Sequence, residues 1–326
     1  MQSRLIETDT IRQHVWEAGK GPLVVLCHGF PELGYSWRHQ VEALAEAGYR
    51  AVAPDMRGYG RTDKPLAVEA YTVLHLVGDM VALVAALGEK DAIVVGHDWG
   101  APVAWHCGLL RPDIFKAVFA LSVPFQPRNP KGRPIDLMRA ITAKLGLGEL
   151  YIVDFQRPDA EDEFDRDVET ALRTGFFGYD GATPADQRST GFLKDGESFL
   201  QSVKGPVTNP PWMRHEDLQV YVEAFDQGGF AGPINWYRNL DRTWELTAWM
   251  QGRKVDVPSF FMVGENDPVR NYTGLAEASL KTAVRDLRGK TVVKGAGHWL
   301  QQERPDEVNA ALLGFIAEAL GKPAQR

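Results

Sequence analysis

Hydrophobic and polar positions divide the chain into a regular first part, an irregular middle and a regular last part. Residues 3 to 17 alternate loosely between apolar and polar side chains, which predicts two antiparallel strands joined by a turn at Thr8-Asp9-Thr10. Residues 23 to 27 form an all-apolar run, as expected for a strand covered on both faces of a sheet. Strand and helix patterns then alternate up to about residue 124, which predicts a doubly wound parallel sheet.

The elements of this first part are bounded by glycines and by changes of periodicity. We predict helices at about Trp37 to Ala47, Val73 to Leu87 and Ala101 to Leu110, and further strands at Arg50 to Asp55, Ala92 to Val95 and Ala117 to Val123.

Residues 126 to 250 interrupt the alternation. They contain many Pro, Gly and charged residues and several helical patterns, but no pattern typical of a buried strand. Apolar strand patterns return at residues 257–264 and 290–294, and a last helix is predicted from about Pro305 to Leu320. We therefore predict an α/β core made of residues 1–125 and 251–326, with a helical cap of residues 126–250 inserted into it.

Composition narrows the classes of partner. The chain has 326 residues, of which 44% are hydrophobic, so it can build a large core. Lys and Arg number 36 against 43 Asp and Glu, which gives a net charge of -7 and argues against nucleic acid as a partner. We find no signal peptide and no apolar run of the roughly 18 residues that a membrane span needs. Cys27 and Cys107 suggest neither a disulfide nor a metal site, so a cytoplasmic location is expected.

The pentapeptide Gly96-His97-Asp98-Trp99-Gly100 joins a predicted strand to a predicted helix. In Gly-x-Ser-x-Gly enzymes this turn exposes a serine nucleophile, and small neighbours are needed two residues away on each side. Here Asp98 replaces the serine. A carboxylate with a pKa near ~3.9 is already ionised at neutral pH and can attack a saturated carbon without help from a base. The alternative is an ordinary tight turn in which Asp98 caps the following helix.

An alkyl ester on Asp98 would have to be hydrolysed by water, and water needs a general base. Asp267 and His298 follow two late predicted strands, where ligand-facing groups of parallel sheets gather. The order Asp98, Asp267, His298 is that of nucleophile, acid and histidine in α/β hydrolases. Glu265 competes for the role of the acid, and His298 taken alone fits a capping or packing role equally well.

Residues His28-Gly29-Phe30-Pro31 end a further strand and precede a helix. We predict that the backbone N–H groups of Phe30 and Trp99 form an oxyanion hole. The alternative for this segment is a plain Gly-Pro turn. We expect His28 to brace the turn and His97 only to pack.

Four motifs together resemble the soluble-type epoxide hydrolases of the α/β-hydrolase fold, over about residues 5 to 320. The motifs are residues 28–32 (HGFPE), 58–65 (GYGRTDKP), 96–100 (GHDWG) and 232–239 (GPINWYRN). The resemblance implies a doubly wound, mostly parallel sheet with an inserted helical cap. It also implies that Tyr237 and, on a shorter match, Tyr151 are the two cap tyrosines that hydrogen-bond the epoxide oxygen.

Such tyrosines suit the chemistry, because a phenol with a pKa near ~10 donates a hydrogen bond to a developing alkoxide and stays protonated at neutral pH. Most tyrosines in an aromatic segment only pack. Tyr179 and Tyr221 are the alternative candidates for the two hydrogen-bonding tyrosines. Four other aromatic residues of the cap indicate either an apolar substrate or the core of the cap itself: Trp212, Phe225, Trp236 and Trp244.

We therefore predict that the protein hydrolyses an apolar epoxide to a vicinal diol through an ester on Asp98, with no metal or organic cofactor. A haloalkane or haloacetate dehalogenase is the nearest alternative, but Phe30 offers no side-chain donor to a halide and Trp99 stands where haloacetate dehalogenases usually carry arginine. An esterase would need serine in place of Asp98. A binding protein without activity is a further alternative. The sequence does not decide the oligomeric state, and a homodimer is one option.

Overall fold

The computed structural model describes residues 1–321 and contains an eight-stranded sheet and a small two-stranded one. The strands are β1 (Gln2–Glu7), β2 (Arg12–Ala18), β3 (Leu23–Cys27), β4 (Arg50–Pro54), β5 (Ala92–His97), β6 (Phe115–Leu121), β7 (Glu149–Leu150), β8 (Phe192–Leu193), β9 (Ser259–Gly264) and β10 (Leu287–Val293). The large sheet has the order β1-β2-β4-β3-β5-β6-β9-β10. Strands β1 and β2 pair antiparallel with their neighbours, and every other pair in this sheet is parallel.

Thirteen α-helices surround the sheet or follow it within the described residues. They are α1 (Arg38–Glu46), α2 (Val73–Ala86), α3 (Gly100–Leu110), α4 (Pro134–Leu145), α5 (Tyr151–Asp154), α6 (Asp162–Asp165), α7 (Val168–Gly178), α8 (His215–Gly228), α9 (Ala231–Arg238), α10 (Leu240–Leu246), α11 (Arg270–Ala283), α12 (Leu300–Glu303) and α13 (Pro305–Ala319). Short 3-10 turns lie at Gly34–Trp37, Val68–Tyr71, Leu200–Ser202 and Ala248–Met250.

The central strands are apolar on both faces because each face packs against its own hydrophobic cluster. In β3, Val24 and Leu26 belong to the cluster that contains α1 and α13, whereas Val25 and Cys27 belong to the cluster that contains α2 and α3. This two-sided burial explains the unbroken apolar run from which the strand was predicted. The parallel pairing of β3, β5, β6 and β9 places their carboxyl ends side by side, which is where the candidate site lies.

The fold confirms the predicted α/β-hydrolase architecture, with α4 to α10 inserted between β6 and β9. Most predicted elements match within a few residues. Helices α11 and α12 were not predicted, nor were the two-residue strands β7 and β8, which lie in the segment where no buried strand was expected. Among residues 1–321, no helix combines the length and the apolar character that crossing a membrane requires. Residues 322–326, which the sequence assigned to the core, lie outside the described part of the chain.

Candidate active site

Asp98 stands at a strained turn between β5 and α3. Its φ angle is +50°, a conformation that residues other than glycine rarely adopt. The turn closes so tightly that a Cβ at Gly96 would lie 2.1 Å from the carbonyl oxygen of Gly100, and a Cβ at Gly100 would lie 2.0 Å from that of Cys27. Both glycines are therefore required by the close approach of the backbone, as the pentapeptide predicted.

The backbone N–H of Phe30 donates a hydrogen bond of 2.7 Å to Oδ1 of Asp98. The N–H of Trp99 lies on the same side, because a Cβ built on Gly29 would be 2.2 Å from Oδ1 and 2.6 Å from the Trp99 nitrogen. Of the two predicted donors, the Phe30 N–H is thus bonded to Oδ1 of Asp98, and the backbone nitrogen of Trp99 lies near the same position. Only a glycine at position 29 leaves room for that oxygen.

The imidazole of His298 lies between two carboxylates. Its Nδ1 atom is 3.1 Å from each oxygen of Asp267, and its Nε2 atom is 3.4 Å from Oδ2 of Asp98. All three side chains are buried. The competing acid is placed elsewhere, since the Glu265 carboxylate accepts the backbone N–H of Gly295 at 3.0 Å. The structure therefore brings together Asp98, Asp267 and His298 from three strand ends.

Charge within this group shifts the pKa values of its members. Burial opposes ionisation of His298, but the charges of Asp267 and Asp98 and their hydrogen bonds outweigh it and raise the pKa of His298 to about 10. Burial would likewise raise the pKa of Asp98. The hydrogen bond and charge of His298, with smaller contributions from His97 and the Phe30 N–H, instead hold the pKa of Asp98 below its usual value. At neutral pH the arrangement is an imidazolium between two carboxylates.

His97 does more than pack, which corrects the expectation from sequence. Its Nδ1 atom is 2.7 Å from Oε2 of Glu32, and its Nε2 atom is 2.7 Å from the carbonyl oxygen of His298. Gln301 donates a hydrogen bond of 2.8 Å to Glu32 in the same buried group. The carboxylate of Glu32 at the end of the HGFPE segment was the available signal for this contact to His97. His28 braces the turn as predicted, since its Nε2 accepts the N–H of Met56 at 2.9 Å.

The turn that carries His298 is attached to the inserted segment. The N–H of His298 donates to the carbonyl oxygen of Tyr179 at 2.9 Å. The carboxylate of Glu303 accepts N–H groups from Gly297, Trp299 and Gly181 at 2.7, 2.9 and 3.2 Å. Backbones from the two parts of the chain are thus joined directly beside His298.

A cavity of about 780 Å³ lies between the sheet and the inserted helices and reaches Asp98. Tyr151 and Tyr237 are both buried and both line it, and their ring centroids are 5.9 Å apart. The Tyr237 ring also packs against Trp99, at 5.1 Å between centroids. Burial, together with the negative charge of Asp98, raises the pKa of both phenols, so both hydroxyls are protonated and able to donate.

The other aromatic candidates divide between cavity and packing. Among the described residues, the cavity lining includes Trp236 and Trp244 and leaves out Trp212, Phe225, Tyr179 and Tyr221. Sequence reasoning missed Tyr272, a further tyrosine in the lining, whose Oη is 3.4 Å from that of Tyr151. The one available signal was its place five residues after Asp267, at the start of a helix that follows a strand end.

The chain is similar in sequence and structure to proteins of known class. A family described as alpha/beta hydrolase fold matches residues 22–305. Epoxide hydrolase A from Mycobacterium tuberculosis is 43% identical over 318 residues, covering 96% of each chain. Epoxide hydrolase 3 from Siraitia grosvenorii is 42% identical and covers 95% of this chain and 96% of its own. A solved epoxide hydrolase from an endophytic Streptomyces has a TM-score of 0.93 and 43% identity, covering 98% of this chain and 96% of its own.

Proposed function

Because this chain belongs to the α/β-hydrolase family and, within it, to the epoxide hydrolases, we propose that Asp98, His298, Asp267, Tyr151 and Tyr237 carry out its reaction in two covalent steps. The supporting observation is that a buried carboxylate on a strained turn faces a histidine on one side and a cavity with two protonated phenols on the other. We also propose that residues 126–250 form the cap and that residues 1–125 and 251–326 form the core.

In the first step, Oδ2 of Asp98 attacks a carbon of the epoxide ring, because Oδ1 is held by the Phe30 N–H. The carbon–oxygen bond breaks and its electron pair goes to the ring oxygen. Tyr151 and Tyr237 donate hydrogen bonds to that oxygen, and one of them transfers a proton to it. The product is a neutral alkyl ester on Asp98.

Ester formation prepares the second step by changing the charge beside His298. The resting imidazole is protonated because it lies between two anions. The ester removes the negative charge of Asp98, so the pKa of His298 falls. The imidazolium then gives up its Nε2 proton, which restores the tyrosine that protonated the ring oxygen, and the neutral Nε2 is able to take a proton from water. Asp267 keeps the ring oriented through Nδ1 and stabilises the positive charge that returns.

The water then attacks the carbonyl carbon of the ester. Negative charge develops on Oδ1, where the N–H groups of Phe30 and Trp99 stabilise it. When this intermediate collapses, the bond to Oδ2 breaks, the protonated His298 gives its proton to the leaving alkoxide, and the diol is released with Oδ2. The oxygen of the water stays in the carboxyl group of Asp98, whose proton passes to His298 and restores the resting state. The residues present account for each proton and electron pair without a metal or an organic cofactor.

The partners we propose are an apolar epoxide and water. Trp236 and Trp244 in the lining supply the apolar surface for such a substrate. We further propose that the protein acts in the cytoplasm, where the buried thiols of Cys27 and Cys107 stay free.

A single turnover with excess enzyme in oxygen-18 water tests the covalent step. Covalent catalysis places the label in a peptide that contains Asp98 and leaves the first diol unlabelled at the attacked carbon. Label in that first diol would show direct attack by water. Parallel assays for diol from an epoxide and for halide from a haloalkane separate this function from the dehalogenase alternative.

A further inference from the structure

Exposed apolar side chains concentrate at the mouth of the cavity. Among residues 1–321, eleven large apolar side chains are strongly exposed, and four of these also line the cavity: Ile141, Leu145, Leu147 and Leu275. Leu145 is 64% exposed and lies on α4, and Leu275 is 90% exposed and lies on α11. A side chain that lines a cavity and also faces solvent lies at its rim. The rim is therefore apolar on both the cap side and the core side.

The same surface continues along the cap. Leu246 and Trp249 are exposed by 43% and 56%. The guanidinium of Arg253, which lines the cavity, lies 5.7 Å from the centre of the Trp249 ring. We call residues 126–149 and 240–254, together with Leu275, the mouth surface. A concentration of exposed apolar side chains of this kind is typical of a surface that contacts a membrane or another protein.

Charge on the mouth surface is opposite to that of the chain as a whole. Residues 126–149 and 240–254 carry eight Lys and Arg against four Asp and Glu, whereas the whole chain carries 36 against 43. Lys144 is exposed directly beside Leu145. Positive charge next to exposed leucine and tryptophan is the combination found on protein surfaces that lie on anionic lipid.

We propose that the mouth surface docks on an anionic lipid surface, with its leucines and Trp249 in the head-group boundary and its Lys and Arg side chains against lipid phosphates. The cavity then opens towards the phase in which apolar compounds dissolve. A second copy of this chain fits the surface less well, because the facing patch would carry the same positive charge and would close the mouth. This inference goes beyond the proposed function, since docking requires no turnover.

Flotation of the full chain with lipid vesicles tests the docking. One vesicle is neutral phosphatidylcholine, and the other contains about one third phosphatidylglycerol, which supplies the negative surface charge. We expect binding to the anionic vesicles at least about tenfold stronger than to the neutral ones, and weaker binding as salt screens the charges.

Two variants outside the cavity lining separate the charge from the apolar contact. Lys144→Glu and Trp249→Ser are each expected to weaken binding to anionic vesicles several-fold, while turnover of a dissolved short epoxide stays at the wild-type value. Lys20→Glu is the matched control, because Lys20 is exposed on the turn before β3, at the amino end of this strand, whereas the site lies at the carboxyl ends. It should bind vesicles like the wild type.

Absence of binding to either vesicle would overturn the proposal. Equal loss in Lys20→Glu would also overturn it, because the attraction would then depend on net charge and not on the mouth surface. A dimer in solution that Trp249→Ser converts to monomer would assign the surface to a second copy instead. Because flotation measures no catalysis, these outcomes are independent of whether the proposed reaction is correct.

Discussion

The Nε2 atom of His298 lies 3.4 Å from Oδ2 of Asp98, so the proposed base and the proposed nucleophile are in contact before any substrate enters. Each stabilises the charged form of the other. The two chemical steps are therefore electrostatically linked, because the reaction of one side chain changes the proton affinity of its neighbour.

Asp98→Asn removes that negative charge while keeping the size of the side chain. The pKa of His298 should fall from about 10 in the wild type, because only Asp267 remains as an anionic neighbour. Turnover of an epoxide should fall by about 10³-fold or more, because the nucleophile is lost. NMR titration of the His298 ring measures the first effect. An unchanged pKa would contradict the proposed coupling.

His298→Gln should stop the reaction after the first step. Ring opening needs Asp98 and the tyrosines, whereas hydrolysis needs the base, and removal of a general base costs about 10²–10⁴-fold in rate. Mass spectrometry of the intact variant after mixing with epoxide should show a gain of one substrate mass per chain. Loss of all alkylation would instead assign His298 a role in the first step.

Tyr237→Phe should slow ring opening by about 10²-fold and leave ester hydrolysis nearly unchanged, because the hydroxyl acts on the epoxide oxygen only in the first step. Tyr151→Phe should behave in the same way. Tyr35→Phe is the control, since its hydroxyl donates to Asp217 at 2.8 Å and does not touch the cavity lining among the described residues. Stopped-flow and quenched single turnovers separate the two rates. Equal losses in both steps would contradict the assignment.

Gly29→Ala should lower turnover by about 10²-fold or more, because the new methyl group would lie 2.2 Å from Oδ1 of Asp98 and would displace it from the Phe30 N–H. Overpacking at such a site also costs about 1–3 kcal/mol of stability. Gly78→Ala on α2 is the control, as its Cβ would meet nothing within 4 Å. That variant should be active and slightly more stable. Steady-state kinetics and thermal unfolding measure both.

Glu303→Gln tests the carboxylate that holds the turn carrying His298 against the inserted segment. Burial and the charge of Asp180 raise the pKa of Glu303 to about 7, against the opposing effect of the three N–H groups that it accepts. A carboxyl group with a higher pKa in the folded state than in the unfolded state contributes most to the free energy of unfolding at pH values below its unfolded pKa, near ~4.5. This contribution is lost as the pH rises to about 7.

Across this pH window the free energy of unfolding of the wild type should therefore decline relative to that of Glu303→Gln, by at most about 1.4 kcal/mol per pH unit for one proton. Glu265→Gln, which changes the carboxylate that accepts the Gly295 N–H, should keep the wild-type slope. Identical slopes in all three proteins would show that Glu303 does not titrate in this window.

Sequence periodicity was sufficient for the core because its strands are buried on both faces and leave unbroken apolar runs. Asp98 and Asp267 were predicted for a related reason, because each follows such a run. His298 follows β10, an edge strand of mixed polarity, and was predicted because parallel strands bring their carboxyl ends to one side of the sheet. The tyrosines came from resemblance, since nothing in local periodicity distinguishes a phenol over a cavity from one that packs.

Features that depend on packing between distant segments were missed. Helix α11 was missed because its buried positions include polar residues such as Thr273 and Glu277, which weaken the apolar period. Tyr272 reaches Tyr151 only once α11 lies against the cap segment. The hydrogen-bond partners of His97 are likewise distant in sequence. They are Glu32, in the loop after β3, and the carbonyl of His298, which lie 65 and 201 residues away along the chain.

The hydrogen bond from the His298 N–H to the Tyr179 carbonyl limits how the inserted segment can be exchanged between related proteins. A Cβ at Gly181 would lie 2.3 Å from the nitrogen of Gly297, so the two backbones fit each other through a pair of glycines. Grafting a foreign cap onto this core would remove one side of that fit. We therefore expect an exchange of the proposed cap between relatives to preserve the turn of His298 only when residues 176–181 are transferred with it or are matched in the recipient.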